Sequence, residues 1–311
     1  MSTIGCIEAI GTKVQTIFNG YRIEPVQNLP KSVELNCHDS GSTLRFLLPV
    51  IGALGIDGVF LTEGRLSSRP LSPLWEEMER MGCHLEWEAP NRLRCTGQLR
   101  AGTYHMDGNI SSQFITGLLL GLHLLSEAST LVLHGTVQSA PYVEITKAVM
   151  GRFGLDPQKL GGQTIRSPGQ LAIEGDWSSA AFYLGANTLG SHVAVHGLNM
   201  DSVHGDRAVV SLLEELDQGS PVISAAQIPD LIPVLAVVAA GKNGAVFTDI
   251  QRLRLKESDR LRAVREHRTD ADHRMAMALL VAGYEVDDTA CISKSYPQFI
   301  EQWQSVNTSN E

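Results

Sequence analysis

A polar cluster that leads directly into an apolar run of helical length occurs five times in this chain. The five clusters begin at Asp39, Ser111, Asp176, Ile228 and Asp270. Ser, Thr and Asp are favoured N-cap residues, and a helix N-terminus presents unpaired N–H groups and a positive dipole to anions. Several such helix ends facing one cleft would form an anion pocket. The pattern therefore predicts a substrate that carries phosphate or carboxylate groups.

Composition narrows the class of protein. The chain has 311 residues, which suggests two domains, and its 43% hydrophobic and 19% charged residues are typical of a globular protein. A net charge of -9 argues against nucleic acid or an acidic membrane as partner. The five scattered cysteines show neither metal-ligand nor disulfide spacing. We therefore expect no metal site, no membrane span, no signal peptide and a cytoplasmic location.

The five apolar runs belong to a repeated α/β unit. Each is followed by a β-rich run, and we predict strands at 58–64, 130–136, 192–199, 245–251 and 284–293. Amphipathic helices are predicted at 72–82, 141–154, 206–219 and 257–266. Hairpin-like tails are expected after the first two of these helices, for example at 83–99. The later units are shorter, and the first residues already read as a helix.

Cations occupy corresponding places in several repeats, close to the predicted helix starts. They are Arg69, Lys256, Arg260, Arg274 and Lys294. Guanidinium groups bind carboxylate and phosphate with two parallel hydrogen bonds, and an ammonium acts as a point charge. Any one of them alone is more often a solvated surface charge. Their shared position in the repeat favours a role in binding an anionic substrate.

Short polar side chains supply hydrogen-bond donors in the first half of the chain. Ser111, Ser112 and Gln113 lead into one apolar helix, and Ser139 and Tyr142 open an amphipathic one. Hydroxyl and amide groups suit phosphate oxygens and sugar-like hydroxyls. Helix capping is the alternative, and the two roles are compatible because a cap can also face a ligand.

Two carboxylates and one histidine are candidates for proton transfer. Asp230 and Glu257 lie beside cationic or helix-terminal groups, where they could act as general acid and base. The alternatives are an N-cap for Asp230 and a surface ion pair for Glu257. His273 could shuttle a proton, although a single histidine before a helix is more often structural. No catalytic triad, nucleophile elbow or phosphate-binding P-loop occurs, so hydrolase and NTPase functions lack support.

Ten short strings, in order along the chain, resemble the 5-enolpyruvylshikimate-3-phosphate synthase family. They are SGSTLRFLLP, LSSRPLSPL, SSQFITGLLL, SAPYVEIT, IEGDWSSAAFYL, HGDRA, IPDLIPVLAV, RLRLKESDRL, DHRMAMAL and SKSYPQFIEQW. The combination of KESDR and DHRMAM is the most specific part of the resemblance. The related UDP-N-acetylglucosamine enolpyruvyl transferases share the fold but not these strings.

The resemblance implies a fold and a reaction. The fold is a two-lobed inside-out α/β barrel built from βαβαββ pseudo-repeats, with lobes at residues 1–173 and 174–311. The reaction transfers the enolpyruvyl group from phosphoenolpyruvate to the 5-hydroxyl of shikimate-3-phosphate and releases phosphate. It implies no metal and no organic cofactor, and we expect a monomer.

The resemblance also implies roles for individual residues. Those that hold shikimate-3-phosphate are Ser111, Ser112, Gln113, Ser139, Tyr142, Asp230 and Lys256. Those at the phosphoenolpyruvate pocket are Gly41, Arg69, Gln113, Arg260, Arg274 and Lys294. Asp230 takes the 5-hydroxyl proton and Glu257 protonates the methylene carbon. Lys256 lies beside both substrates, and His273 supports the phosphoenolpyruvate end.

One departure from the family pattern leaves alternatives open. The family's early proline-glycine-serine-lysine-serine segment, with its following arginine, is absent from these 311 residues. Without its charged contacts the site would lose several kcal/mol of transition-state stabilisation. The alternative is therefore a family member that binds shikimate-3-phosphate without turnover. A phosphate-cyclase-like relative acting on RNA is disfavoured by the acidic net charge.

Overall fold

The computed structural model describes residues 2–308. The chain divides into two compact units, one ending at Gly169 and the other beginning at Gln170. Each unit has its own buried apolar core. Within residues 2–308, the helices are all too short or too polar to cross a lipid bilayer.

The first unit alternates helices and strands. Its elements are α1 (Ser2–Ile10), β1 (Lys13–Ile17), β2 (Gly20–Glu24), β3 (Ser32–Asn36), α2 (Gly41–Leu54), β4 (Asp57–Leu61), α3 (Leu74–Arg80), β5 (Cys83–Ala89), β6 (Arg92–Gly97), β7 (Thr103–Asp107), α4 (Ser112–Leu122), β8 (Thr130–His134) and α5 (Ala140–Arg152). A four-stranded sheet has the order β3-β4-β6-β5, while β1 pairs with β2 and β7 with β8. Leu35, Phe60 and Leu93 lie opposite one another across three strands and are fully buried.

The second unit is richer in helix. Its elements are α6 (Trp177–Thr188), α7 (Val209–Gln218), β9 (Val222–Ser224), α8 (Ile232–Gly241), β10 (Val246–Thr248), α9 (Arg260–Glu266), α10 (His273–Val281) and α11 (Phe299–Thr308). The strands β9 and β10 pair in parallel. Three short 3₁₀ turns cover Gly205–Ala208, Gln251–Leu255 and Ala290–Lys294. The core contains Trp177, Phe182, Leu235, Met277 and Phe299.

Glycines let the apolar helices of the first unit approach closely. A Cβ on Gly117 would lie 2.2 Å from the carbonyl oxygen of Arg45, and one on Gly121 would lie 2.7 Å from that of Pro49. A step of four residues along α4 thus matches a step of four along α2, so the two helices run parallel. Their N-termini consequently lie at the same end of the pair. This is the arrangement that an anion pocket requires.

All five predicted apolar helices are confirmed, and four begin with the predicted kind of cap. Ser40, Ser111, Asp176 and Asp272 each accept a hydrogen bond from a backbone N–H of the following helix. The remaining apolar helix, α8, differs because its N-cap residue is Leu231, which makes no side-chain capping bond. The N-cap alternative for Asp230 is therefore wrong.

Two predicted strands do not form. In the segment 192–199, the side chain of Asn187 pairs with both the N–H and the carbonyl of Val193, at 2.7 and 2.9 Å. It thereby occupies backbone groups that a strand ladder would use. In the segment 284–293, Asp288 accepts from the N–H groups of Ala290 and Cys291 and so begins a 3₁₀ turn.

The hairpin tails were predicted correctly once and wrongly once. Strands β5 and β6 form the expected hairpin after α3. After α5, the segment 155–173 contains only an isolated bridge at Leu160. The sequence prediction also missed the hairpin of β1 and β2. Its signal was Asn19, the second residue of the two-residue loop Phe18-Asn19, which takes a positive φ of 62° that Asn adopts more readily than most residues.

Candidate active site

Asp230 is the centre of a cluster of cations in the second unit. Its Oδ1 accepts from Lys256 Nζ at 3.2 Å and from Arg260 Nη1 at 2.8 Å. Its Oδ2 lies 3.5 Å from Arg274 Nη2. Asp230 lies just before α8, Lys256 follows a 3₁₀ turn, and Arg274 lies in the first turn of α10. The structure thus brings together four residues that the sequence predicted as a site.

Arg260 connects this cluster to two further carboxylates. Its side chain is only 1% exposed, and its Nη2 and Nε donate to Glu257 Oε2 at 3.0 Å and to Asp272 Oδ2 at 2.8 Å. The third donor group, Nη1, binds Asp230. The role predicted for Arg260 in phosphoenolpyruvate binding thus falls on a guanidinium that already pairs with three carboxylates. The sequence analysis did not identify Asp272 as a site residue.

Both carboxylate oxygens of Asp272 accept hydrogen bonds. It is fully buried, and its Oδ2 also accepts from Ser258 Oγ at 3.1 Å. Its Oδ1 accepts from the backbone N of Arg274 at 2.9 Å, which caps α10. One carboxylate therefore fixes the start of the helix that carries Arg274 and the guanidinium of Arg260. The signal in the sequence was the Asp that begins the string DHRMAM.

The charges of the cluster shift the pKa values of its members. Burial raises the pKa of Asp230, but Arg274, Lys256 and Arg260 outweigh burial and hold it well below its ordinary value. Burial lowers the pKa of Lys256, and the Asp230 carboxylate partly offsets that change. Asp230 is consequently ionised at neutral pH, with its charge shared among cations. An anionic substrate that engaged those cations would raise the proton affinity of Asp230.

Glu257 and His273 lie at the edge of the same cluster. The side chain of Glu257 is 34% exposed while it pairs with Arg260, so the expected ion pair forms but is only partly solvated. Burial lowers the pKa of His273, and the neighbouring Arg274 lowers it further. His273 is therefore neutral at pH 7 and can act as a hydrogen-bond donor or acceptor. Lys294 ends a 3₁₀ turn in the same unit and is exposed.

A second group of polar residues lies at the paired starts of α2 and α4 in the first unit. Arg45 is buried, and its Nη1 donates to Gln113 Oε1 at 2.9 Å. A Cβ on Gly41 would lie 2.6 Å from Arg45 Nη1 and 2.8 Å from Arg69 Nη1. A side chain at this position would therefore require the guanidinium groups to shift. The structure thus groups Gly41, Arg69 and Gln113 as predicted and adds Arg45, whose signal was a cation inside an apolar run.

The residues predicted to supply hydroxyl groups lie either near this group of residues or at the start of α5. Ser111 caps α4 by accepting from Gln113 N at 3.3 Å, so the capping role is confirmed, and Ser112 is buried. Ser139 precedes α5, is buried, and takes a left-handed φ of 57° without a side-chain capping bond. Tyr142 lies in the first turn of α5 and is half-buried. Helix capping therefore does not explain Ser139.

The polar cluster predicted at the start of α6 also includes His204 and Asp206, which were not predicted as its partners. Asp176 accepts from the backbone N–H groups of Ser178 and Ser179 and lies 3.7 Å from His204 Nε2. The hydroxyl of Ser178 donates to Asp206, which is fully buried. The strings IEGDWSS and HGDRA that contain these residues are part of the resemblance, but no role was assigned to them.

The solved structures that this chain resembles show its fold. Superposition on an EPSP synthase from Acinetobacter baumannii covers 98% of this chain and 86% of the other, with a TM-score of 0.74 and 18% identity. The enolpyruvyl transferase NikO from Streptomyces tendae gives a TM-score of 0.62 at 17% identity, again over 98% of this chain and 86% of the other. The expected fold, the two-lobed inside-out α/β barrel of the enolpyruvyl transferases, is confirmed.

Comparison with known sequences identifies the family of this chain. The family model for EPSP synthase (3-phosphoshikimate 1-carboxyvinyltransferase) matches residues 1–267 and 265–303. A 3-phosphoshikimate 1-carboxyvinyltransferase from Clostridium kluyveri is 32% identical over 366 aligned residues, with 98% of this chain and 86% of the relative covered. One from Clostridioides difficile is 33% identical, with 89% and 77% covered. The chain belongs to the EPSP synthase family.

Proposed function

We propose that this protein transfers the enolpyruvyl group of phosphoenolpyruvate to the 5-hydroxyl of shikimate-3-phosphate and releases phosphate. This reaction belongs to the shikimate pathway, which leads to the aromatic amino acids. Membership of the EPSP synthase family supports the proposal. The structural observation that carries it is the ionised Asp230, held among Lys256, Arg260 and Arg274 with Glu257 alongside.

The proposed chemistry is an addition followed by an elimination. Glu257, as the carboxylic acid, protonates the methylene carbon of phosphoenolpyruvate, and C2 becomes electron-poor. The 5-hydroxyl oxygen bonds to C2 while Asp230 accepts the hydroxyl proton. Loss of phosphate from C2 and removal of a proton from the new methyl group by the Glu257 carboxylate restore the double bond. The proton that Asp230 accepted leaves with the phosphate or to solvent.

Electrostatics supports this assignment of roles. Lys256, Arg260 and Arg274 are already oriented in a buried setting, so they need little reorganisation to stabilise charge that develops during the reaction. When phosphoenolpyruvate engages these cations, they stabilise the Asp230 carboxylate less. Its pKa then rises and it becomes a stronger base. Substrate binding would thus activate the group that accepts the proton.

We assign the remaining predicted residues as follows. The lobe predicted at residues 1–173 would bind shikimate-3-phosphate through Ser111, Ser112, Gln113, Ser139 and Tyr142. The lobe predicted at residues 174–311 would be the catalytic one. The residues assigned to phosphoenolpyruvate are Gly41, Arg69, Gln113, Arg260, Arg274 and Lys294, with His273 in support. We also propose that the protein is a cytoplasmic monomer without nucleic-acid or membrane partners.

The direct test measures phosphate released by the full chain from shikimate-3-phosphate and phosphoenolpyruvate. We expect turnover, and we expect Glu257→Gln to lower kcat by about 100-fold or more because the amide cannot transfer the proton. Asp230→Asn should have a comparable effect. Glu215→Gln on the exposed face of α7 is the matched control and should keep wild-type kcat.

Two outcomes would contradict the proposal. If Glu257→Gln keeps wild-type kcat, the assigned proton donor is wrong. If the wild-type chain releases no phosphate although shikimate-3-phosphate still raises its melting temperature, the protein binds this ligand without turnover. The second outcome is the binding-only alternative.

A further inference from the structure

The two halves of the Asp230 cluster are joined by a very short connection. Helix α9 ends at Glu266, and Asp272 is already the N-cap of α10, so residues 267–271 span the gap. The match to the family model is split at this same place, into residues 1–267 and 265–303. The connection therefore falls where the match to the family model is interrupted.

The backbone of this connection is strained. His267, Asp270 and Ala271 have φ values of 53°, 46° and 59°, in the left-handed region that residues with a Cβ rarely adopt. Each such residue costs on the order of 1 kcal/mol, and surrounding contacts must hold it in place. The contacts that do so also fix the position of Asp272, because it follows directly.

Thr269 is the anchored point of the connection. It is fully buried, and both its backbone N and its Oγ1 donate to Asp287 Oδ1, at 3.1 and 2.5 Å. Its carbonyl oxygen accepts from the backbone N of Asp272 at 2.9 Å. Asp287 comes from the segment that follows α10. One hydrogen-bonded chain therefore runs from Asp287 through Thr269 to Asp272.

Asp270 adds a second anchor on the other side of the connection. Its Oδ2 accepts from Arg262 Nη2 at 2.6 Å, and its Oδ1 lies 3.2 Å from Arg268 Nε. Arg262 is part of α9, so this pair ties the connection back to the helix that carries Arg260. The carboxylate of Asp270 is 14% exposed and the side chain of Arg262 is 56% exposed, so solvent partly screens the pair.

We infer that Thr269 and Asp287 are positioning residues for the phosphoenolpyruvate end of the site, acting through Asp272. Asp272 uses one oxygen to cap the helix that carries Arg274 and the other to hold Arg260. A small displacement of Asp272 would move both guanidinium groups together. Misplacing a binding group by about 1 Å can cost up to about 100-fold in rate. This inference rests on the proposed function only where it names the substrate.

The test compares four variants kinetically. Thr269→Val removes the hydroxyl donor at nearly constant volume, and Asp287→Ala removes the acceptor. We expect each to raise KM for phosphoenolpyruvate about tenfold while KM for shikimate-3-phosphate stays within about twofold, because the displaced groups are at one end of the site. Thr269→Ser keeps the donor and should retain wild-type constants. Asp217→Ala is the matched control, because this carboxylate is 60% exposed and pairs with Lys242 instead.

A second measurement does not depend on turnover. The Nε–H of Arg260 donates to the buried Asp272 and should give a slowly exchanging NMR signal, identified by its loss in Arg260→Lys. We expect this proton to exchange at least about tenfold faster in Thr269→Val and Asp287→Ala, because the pair opens more often. Thr269→Ser and Asp217→Ala should leave the exchange rate unchanged.

The kinetic constants and the exchange rate together distinguish a failure of the proposed function from a failure of the positioning role. A wild-type chain without turnover would contradict the proposed function, while the exchange rates would still test the positioning role. Unchanged exchange in both Thr269→Val and Asp287→Ala would overturn the inference. So would a lower melting temperature with unchanged KM for phosphoenolpyruvate, since a purely structural contact behaves in that way.

Discussion

At the scale of single residues, the most consequential feature is a fully buried guanidinium. Arg260 is 1% exposed and meets Asp230, Glu257 and Asp272. Burying a charge is costly unless its partners and hydrogen bonds are complete. The planar guanidinium offers donors in three directions, which a lysine ammonium cannot arrange in the same way. Removing one partner should therefore cost much more than losing a surface ion pair.

We predict that Asp272→Asn lowers the free energy of unfolding by about 3–5 kcal/mol at pH 7, because it leaves Arg260 buried beside one carboxylate fewer. Urea unfolding measures this loss. The matched control is Asp217→Asn, since Asp217 pairs with Lys242 at 2.7 Å but is 60% exposed. That control should change stability by about 0–1 kcal/mol. Equal losses of unfolding free energy in the two variants would show that the buried ion pair stabilises the fold no more than the exposed one.

The ion pair of Asp272 and Arg260 should make the free energy of unfolding fall as the pH becomes strongly acidic. Burial raises the pKa of Asp272, but Arg260 outweighs burial and the folded-state pKa lies below its ordinary value. The contribution to stability is therefore complete above the unfolded-state pKa of about 3.9 and is lost as the pH falls through the folded-state pKa. We expect the stability difference between wild type and Asp272→Asn to be constant from pH 7 to about 5 and to shrink below about 4. A difference that grew on acidification would contradict this assignment.

The sequence could predict which residues are reactive but not how they are connected. Lys256, Arg260 and Arg274 were identified because cations recur near helix starts, and Asp230 as a carboxylate beside such groups. The structure places the four together. Asp272 was not identified, because an Asp before a helix is adequately explained as an N-cap. It does cap α10, yet its second oxygen holds Arg260. A second contact of this kind has no signature in sequence spacing.

At the scale of elements, helices were more predictable than strands. Helix caps and apolar periodicity are local signals, so all five apolar helices were found from the sequence alone. A strand needs a neighbouring backbone, and the sequence does not show whether one is present. Strand-like composition at 192–199 and 284–293 therefore led to wrong predictions. Side chains such as Asn187 satisfy the backbone there instead.

Close helix packing in the first unit gives a prediction at this scale. Gly117→Ala places a Cβ against the backbone of α2, where the carbonyl of Arg45 leaves only 2.2 Å. Overpacking of this kind typically costs about 1–3 kcal/mol, so the free energy of unfolding should fall by that amount. Gly151→Ala in α5 is the control, because a Cβ added there would have no neighbouring atom within 4 Å. It should be neutral or stabilise by up to about 1 kcal/mol through helix propensity.

Chemical denaturation of the two glycine variants distinguishes packing from propensity. If close approach of α2 and α4 matters, Gly117→Ala loses stability while Gly151→Ala does not. If both variants gained stability, helix propensity alone would govern and the tight contact would be unimportant. Because the contact also aligns the starts of α2 and α4, Gly117→Ala should weaken binding of shikimate-3-phosphate as well.

At the scale of the whole molecule, an acidic chain is proposed to bind two anions. The net charge is -9, so long-range attraction does not favour either substrate. Binding must come from short-range groups such as Arg45, Arg69 and the helix ends beside them. These groups act over a few ångströms, and they interact with the ligand's phosphate more strongly than with its ring. The phosphate is therefore the feature to vary in an experiment.

We predict that shikimate-3-phosphate raises the melting temperature of the full chain and that shikimate, which lacks the phosphate, does not at the same concentration. At about 100 times its Kd, a ligand that binds only the folded state adds about 2.7 kcal/mol of stability. Ser112→Ala and Ser139→Ala should each reduce the shift, because they remove proposed phosphate donors. Glu257→Gln should keep it, since this residue is assigned to chemistry. Equal shifts with both ligands would mean that the phosphate is not recognised, and the assignment of the first unit would then be wrong.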